Sequence, residues 1–161
     1  MADNDSNIHQ GGCACGKARY QVTGTPLFVH CCHCSCCQQQ SGSAFAINAM
    51  IEADRVELVS GETEVVQTPT PSGRGQNITR CAECKNALWS NYGGAGDAMR
   101  FVRVGTLASP DVFPPDIHIY TSTKQDWVQL SGPVPVVEEY YNSAEYWPVE
   151  SLERVKRLRS G

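Results

Sequence analysis

The sequence predicts a mainly β fold of irregular antiparallel sheets, closed by a helix at the C-terminus. Three observations carry that expectation. Short segments rich in β-branched and aromatic residues alternate with Gly and Pro punctuation, nine cysteines fall into three tight groups, and helical periodicity is confined to the last stretch. The 161 residues, 41% hydrophobic and 19% charged, suffice for one domain with a buried core.

In chain order the strand candidates are residues 18–22, 27–29, 44–50, 63–67, 76–79, 88–92, 99–104 and 117–120. Pro69, Pro71 and Gly73 mark one loop, and residues 109–115 mark another. Trp147-Pro148 then opens the helix, in which Val149, Leu152, Val155 and Leu158 recur every three residues. Pro148 suits a first helical turn, and the basic residues Arg154 to Arg159 complement the negative end of the helix dipole. Residues 1–12 are polar and acidic, unlike a signal or transit peptide, and apolar runs are as short as residues 44–47. The expected address is the cytoplasm, with no membrane contact. Thiols stay reduced there, and clustered cysteines bind metal more often than they pair.

The cysteine groups are Cys13-Ala14-Cys15-Gly16, then Cys31-Cys32-His33-Cys34-Ser35-Cys36-Cys37, then Cys81-Ala82-Glu83-Cys84. A tetrahedral zinc site takes four soft ligands, and closely spaced pairs on turns supply two at a time. Cys13 and Cys15 with Cys81 and Cys84 make such a closed, structural site, against the alternative of buried free thiols. Cys32-x-Cys34-x-x-Cys37 offers three ligands and leaves the fourth position open, the pattern of a catalytic zinc. Three thiolates leave that ion with a net charge of about −1, a poor acidifier of water suited to holding an incoming thiol as thiolate. Cys31 or Cys36 as a fourth ligand, a redox pair of adjacent cysteines, and His30 or Cys31 in place of a named ligand stay open. His33 is expected to point away from the ion. Two zinc ions per chain are therefore expected, the second site being the one that loses its metal.

The formal charge is −4 and the pI about 5.5. Seven thiolates and two zinc ions add about −3 more. Nucleic acid is excluded as a partner, since the basic footprint it requires is limited to the short tail.

Read together, Gly12-Cys13-x-Cys15-Gly16-x-x-Arg19-Tyr20, Cys32-His33-Cys34-x-x-Cys37 with Ser41-Gly42-Ser43-x-Phe45, and Cys81-x-x-Cys84 resemble the glutathione-dependent formaldehyde-activating enzyme (Gfa) family. Val102-Arg103-Val104-Gly105-Thr106-Leu107, residues 115–120 and Trp127 continue the match. The resemblance implies an Mss4-like β fold with two zinc sites. Cys13, Cys15, Cys81 and Cys84 would hold the structural ion, and Cys32, Cys34 and Cys37 the functional one. It also implies a carbon–sulfur lyase, running as the synthase of S-hydroxymethylglutathione from glutathione and formaldehyde. The family domain would span residues 11–140, after a flexible segment 1–10 and before a helical extension 141–161. A zinc-stabilised binding module, or another thiol or carbonyl substrate, remains the alternative, and a homodimer is compatible with either.

Departures from the family pattern are instructive. Gln38-Gln39-Gln40 follows Cys37 where a basic residue is common, which removes one partner for a substrate carboxylate. Lys85 follows Cys84 where glycine is usual; in a knuckle with positive φ, lysine costs roughly 1 kcal/mol relative to glycine. Ala108 replaces an acidic residue. Gln39, Ser41 and Ser43 either contact a peptide-like substrate or shape a turn. Phe45 is read as core. His118 should point opposite to Ile117 and Ile119, as a solvated or satisfied histidine rather than an acid–base catalyst. Trp127 either lines a pocket or packs beneath a loop, and Glu138-Glu139 is read as a solvated face. Neither a serine–histidine–acid arrangement nor a phosphate-binding glycine loop is visible.

Overall fold

Each face of one central sheet is covered by a different partner, and the alternation of side chains along its strands sorts residues into two cores. The computed structural model describes residues 6–161. Its strands are β1 (Ile8–Gly12), β2 (Arg19–Thr23), β3 (Phe28–Cys32), β4 (Ala46–Glu52), β5 (Val56–Ser60), β6 (Thr63–Thr68), β7 (Gln76–Cys81), β8 (Ala87–Tyr92), β9 (Met99–Arg103) and β10 (Ile117–Ile119). The helices are α1 (Ser35–Ser41), α2 (Ser143–Tyr146) and α3 (Val149–Ser160). The large sheet has the order β10-β3-β4-β9-β8-β7-β6 and the small one β1-β2-β5.

Alternate residues of β4 and β9 enter opposite cores. Ala49, Ile51 and Val102 join Tyr20, Val22 and Val56 from the small sheet. Ala46, Met50, Met99 and Phe101 join Trp147, with Leu152, Val155 and Leu158 of α3 packed against them. All five residues of β3 are buried.

The fold is mainly β with antiparallel sheets and a C-terminal helix, as expected, and the large sheet adds a parallel pair. β10 runs parallel to β3, with Ile117, His118 and Ile119 opposite His30, Cys31 and Cys32. No hairpin joins these two strands, so nothing forces the antiparallel sense. Two strands escaped the sequence reading. β1 contains one β-branched residue and is held by pairing with β2, where a Cβ on Gly11 would lie 2.4 Å from the Tyr20 ring. β5 pairs with the other edge of β2. Of the segment 1–10 expected to be flexible, residues 1–5 lie outside the described residues and residues 8–10 belong to β1.

Helix α3 starts after Pro148 as expected and packs Leu152, Val155 and Leu158 on the core, but its most buried residues are polar. Val149 is 72% exposed, whereas Ser151 and Arg154 are buried. The Ser151 hydroxyl donates to the Leu27 carbonyl at 2.7 Å. Arg154 donates through Nε and Nη2 to the two carboxylate oxygens of Glu52, at 2.7 and 2.5 Å, and to the Thr25 carbonyl. The basic tail is thus not wholly solvated, because its first member anchors the helix to the end of β4.

Burial alone would raise the Glu52 carboxyl, but Arg154, aided by Arg55, holds it below the usual carboxylate range. A depressed carboxyl contributes stability above its unfolded pKa of about 4.3 and loses it as pH falls through the folded value. Arg154→Ala, which strands a buried charge, is expected to cost about 3–5 kcal/mol in urea unfolding at pH 7. The difference from the parent should shrink below about pH 4; a loss that ignores pH would contradict the pairing.

Candidate metal centres

Two hairpin turns bring the first cysteine group together. Cys13 and Cys15 lie on the β1–β2 turn, and Cys84 follows Cys81 on the β7–β8 turn. Their four sulfurs lie within 4.8 Å of one another. Sγ of Cys15 is 3.4 Å from that of Cys13 and 3.8 Å from that of Cys81. Those separations are too long for a disulfide and close to the ~3.8 Å edge of a tetrahedron with ~2.3 Å metal–sulfur bonds. The Ala14 amide donates to Asn86 Oδ1 at 3.0 Å, linking one turn to the other. Lys85 has φ of 63°, the left-handed conformation expected for this knuckle. Its ammonium, bonded to the Ala82 carbonyl and Glu64, ties down the strained residue.

Backbone amides prepare this site for anionic sulfur. Those of Cys84 and Glu83 lower the Cys81 thiol, and those of Asn86 and Cys15 lower Cys84. The Lys17 amide helps Cys15, but neighbouring Cys13 and then burial push it up to about 11. Four sulfurs so close cannot all ionise without a compensating cation. The donor set therefore fits a thiophilic divalent ion, and zinc in particular.

The second group forms at the junction of β3 and α1. Cys32 ends β3, Cys34 is the N-cap of α1, and Cys37 is the residue of α1 that is buried. Their sulfurs also lie within 4.8 Å of one another. The helix α1 is not among the elements expected from the sequence. It is capped by Cys34 Sγ, which accepts from the Cys37 amide at 3.3 Å, and by left-handed Gly42. Its run Ser-Cys-Cys-Gln-Gln-Gln-Ser has no apolar period that would reveal a helix. Hydrogen bonds from Cys32 and Cys37 hold the Cys34 thiol down to about 2. Cys32 is pushed far up by Cys34 and Cys37 and by burial. Cys37 is favoured by Cys32 yet raised to about 12 by Cys34 and burial. One thiolate forms readily here and blocks the next, a penalty that a dication relieves.

Neither Cys31 nor Cys36 joins this group, and His30 bonds the Tyr141 hydroxyl at 2.5 Å instead. Among the described residues this group holds three sulfurs and no fourth cysteine. Gln38 is structural: its amide donates to the carbonyls of His33 and Thr123, at 2.8 and 2.9 Å. Ser41 bonds the Cys37 carbonyl and receives the Ser43 amide, which shapes the turn. Phe45 packs its ring against His33. Trp127 is 70% exposed and donates to Gln125, so it neither lines the centre nor lies beneath a loop.

A cavity of about 300 Å³ opens beside Cys37, lined by Gln40, Arg80, Asn86, Arg103 and Thr106 among others. The two arginines were not singled out in sequence. Arg103 bonds Asn48 and Ser90, and Arg80 bonds the Lys85 carbonyl and Gln40. These cationic residues of the cavity lie on β7 and β9, not after Cys37. Alternation along β9 puts Arg103 on the face of Met99 and Phe101, which join the core that holds Cys32 and Cys37.

The family model for the glutathione-dependent formaldehyde-activating enzyme matches residues 8–123. The chain belongs to that family. Its matched span contains all nine cysteines and both cavity arginines. A protein of Rhodobacter sphaeroides with a solved crystal structure is similar over 80% of this chain and 99% of its own, at 17% identity and a TM-score of 0.48. Among the described residues no helix is long and apolar enough to cross a membrane.

The two cysteine groups should respond differently to substitution. Cys81→Ser, which removes a ligand joining distant hairpins, is expected to lower stability by ~5 kcal/mol. Cys34→Ser should cost less than about 1 kcal/mol, because serine is itself a preferred N-cap. Thermal unfolding of both variants checks this; equal losses would show that the groups do not divide the work.

Proposed function

We propose that this protein is a zinc-dependent carbon–sulfur lyase acting as a synthase, which joins glutathione and formaldehyde to S-hydroxymethylglutathione. The observation that carries the reading is the junction of three cysteine sulfurs, with no fourth, beside a cavity bearing two arginines. Cys32, Cys34 and Cys37 would hold the functional ion, while Cys13, Cys15, Cys81 and Cys84 would hold a structural one. A zinc ion bound to three thiolates supplies a position where a fourth thiol stays deprotonated yet nucleophilic.

The chain's own residues supply the rest. Arg80 and Arg103 line the cavity, and their two guanidinium groups would match the two carboxylates of glutathione. Thr106, Gln40 and Asn86 line the same space with polar groups suited to a peptide. In the reaction the thiol sulfur attacks the formaldehyde carbon and a C–S bond forms. The carbonyl π pair moves to oxygen, which takes up a proton as the thiol gives one up, so no electrons are exchanged with a redox partner. Nine reduced cysteines are in keeping with a cytoplasmic setting.

Two-dimensional exchange NMR on a formaldehyde–glutathione mixture tests the activity. Zinc-loaded protein should accelerate the exchange, and Cys34→Ser should abolish the acceleration; no acceleration with both ions bound would refute the reaction. Arg80→Gln should raise KM for glutathione about tenfold, ~1.4 kcal/mol, and leave a small neutral thiol such as 2-mercaptoethanol unaffected. Equal effects on both thiols would remove the arginine from carboxylate recognition.

A further inference from the structure

We propose a third metal site, formed by Cys31, His33 and His118, on the opposite face of β3 from the Cys32–Cys34–Cys37 centre. Consecutive residues of an extended chain point to opposite faces. In Cys31-Cys32-His33-Cys34, the second and fourth residues meet at the cysteine centre, and the first and third turn the other way. The chain stays extended through His33, whose amide donates to the Ile119 carbonyl at 3.0 Å. Parallel pairing with β10 then sets His118 directly opposite Cys31. Ile117 and Ile119 are buried in the core that holds Cys32, so His118 faces the side of Cys31 and His33.

The side chains complete what the register prepares. His33 Nε2 lies 3.6 Å from Cys31 Sγ and 3.0 Å from His118 Nδ1, and all three donor atoms fall within 4.8 Å of one another. For metal–sulfur and metal–nitrogen bonds of ~2.3 and ~2.05 Å, a tetrahedral angle separates the two donors by about 3.6 Å. One thiol and two imidazoles form a borderline-soft set, which selects zinc or a similar late divalent transition ion over magnesium or calcium. Binding releases the Cys31 thiol proton and leaves a fourth position for water or another ligand. Cys31 and His33 are buried, while His118 is partly exposed on the edge strand and gives the ion its way in. Nδ1 of His33 is buried with no hydrogen-bond partner, so no outer hydrogen bond orients the ring as a ligand. The third ion is accordingly the weakest bound, and a chelator removes it before the other two.

Cadmium-113 NMR on the full chain reads each centre separately, since nitrogen ligands move the resonance upfield of thiolate-only sites. The parent protein loaded with excess cadmium should show one mixed sulfur–nitrogen resonance besides those of the cysteine centres. His118→Gln and Cys31→Ser should each abolish that resonance and leave the cysteine resonances in place, which also shows that the variants are folded. Absence of a mixed resonance in the parent, or its survival in both variants, would overturn the proposal. The outcome does not depend on the synthase activity.

Discussion

Strand β3 is buried on both faces, and that constraint places most of the chemistry in the molecule. A strand with solvent on one side would send alternate residues to water. Here both sets enter protein, so Phe28 and Cys32 contribute to one core and Val29 to the other. Where the strand ends, the same alternation separates the three-thiol centre from the Cys31–His33–His118 group. A one-residue slip in its register would exchange every one of these partners.

The two cysteine centres rest on different local physics. The first joins turns of two hairpins that are remote in sequence, and backbone amides point at its sulfurs. With an ion bound it would act as a cross-link, and the left-handed Lys85 is the strain accepted to close its second knuckle. The second uses a strand end and a helix N-cap within six residues, so it spans little of the fold. Tyr120, the other described non-glycine residue with positive φ, belongs to the aromatic surroundings of this second centre; burial and then Cys32 raise its hydroxyl. A centre that crosslinks little, holds three sulfurs and borders a cationic cavity is suited to exchange a ligand without loosening the protein.

Much of this was legible in sequence because cysteine spacing and Gly–Pro punctuation are local signals. All eight strand candidates overlap observed strands, and the three-residue apolar recurrence found α3. The misses arise where long-range pairing overrides composition. β1 is a strand because Tyr20 and β2 stand beside it, and α1 is a helix because Cys34 and Gly42 cap it. Arg154 reads in sequence as part of the basic tail that complements the helix dipole; its burial depends on Glu52, about a hundred residues earlier. The same holds for Arg80, Arg103 and the meeting of His33 with His118, which become visible only once β-strand neighbours are known.

The central claim is that the Cys32–Cys34–Cys37 centre keeps a position open for a thiol. Loading the protein with cobalt(II) and titrating with glutathione reads that position through the sulfur-to-cobalt charge-transfer band. The band should grow by the contribution of one added thiolate, and S-methylglutathione, which has no thiol to ionise, should leave it unchanged. A spectrum indifferent to glutathione would mean a closed centre, and the carbon–sulfur chemistry assigned to it would have to be given up.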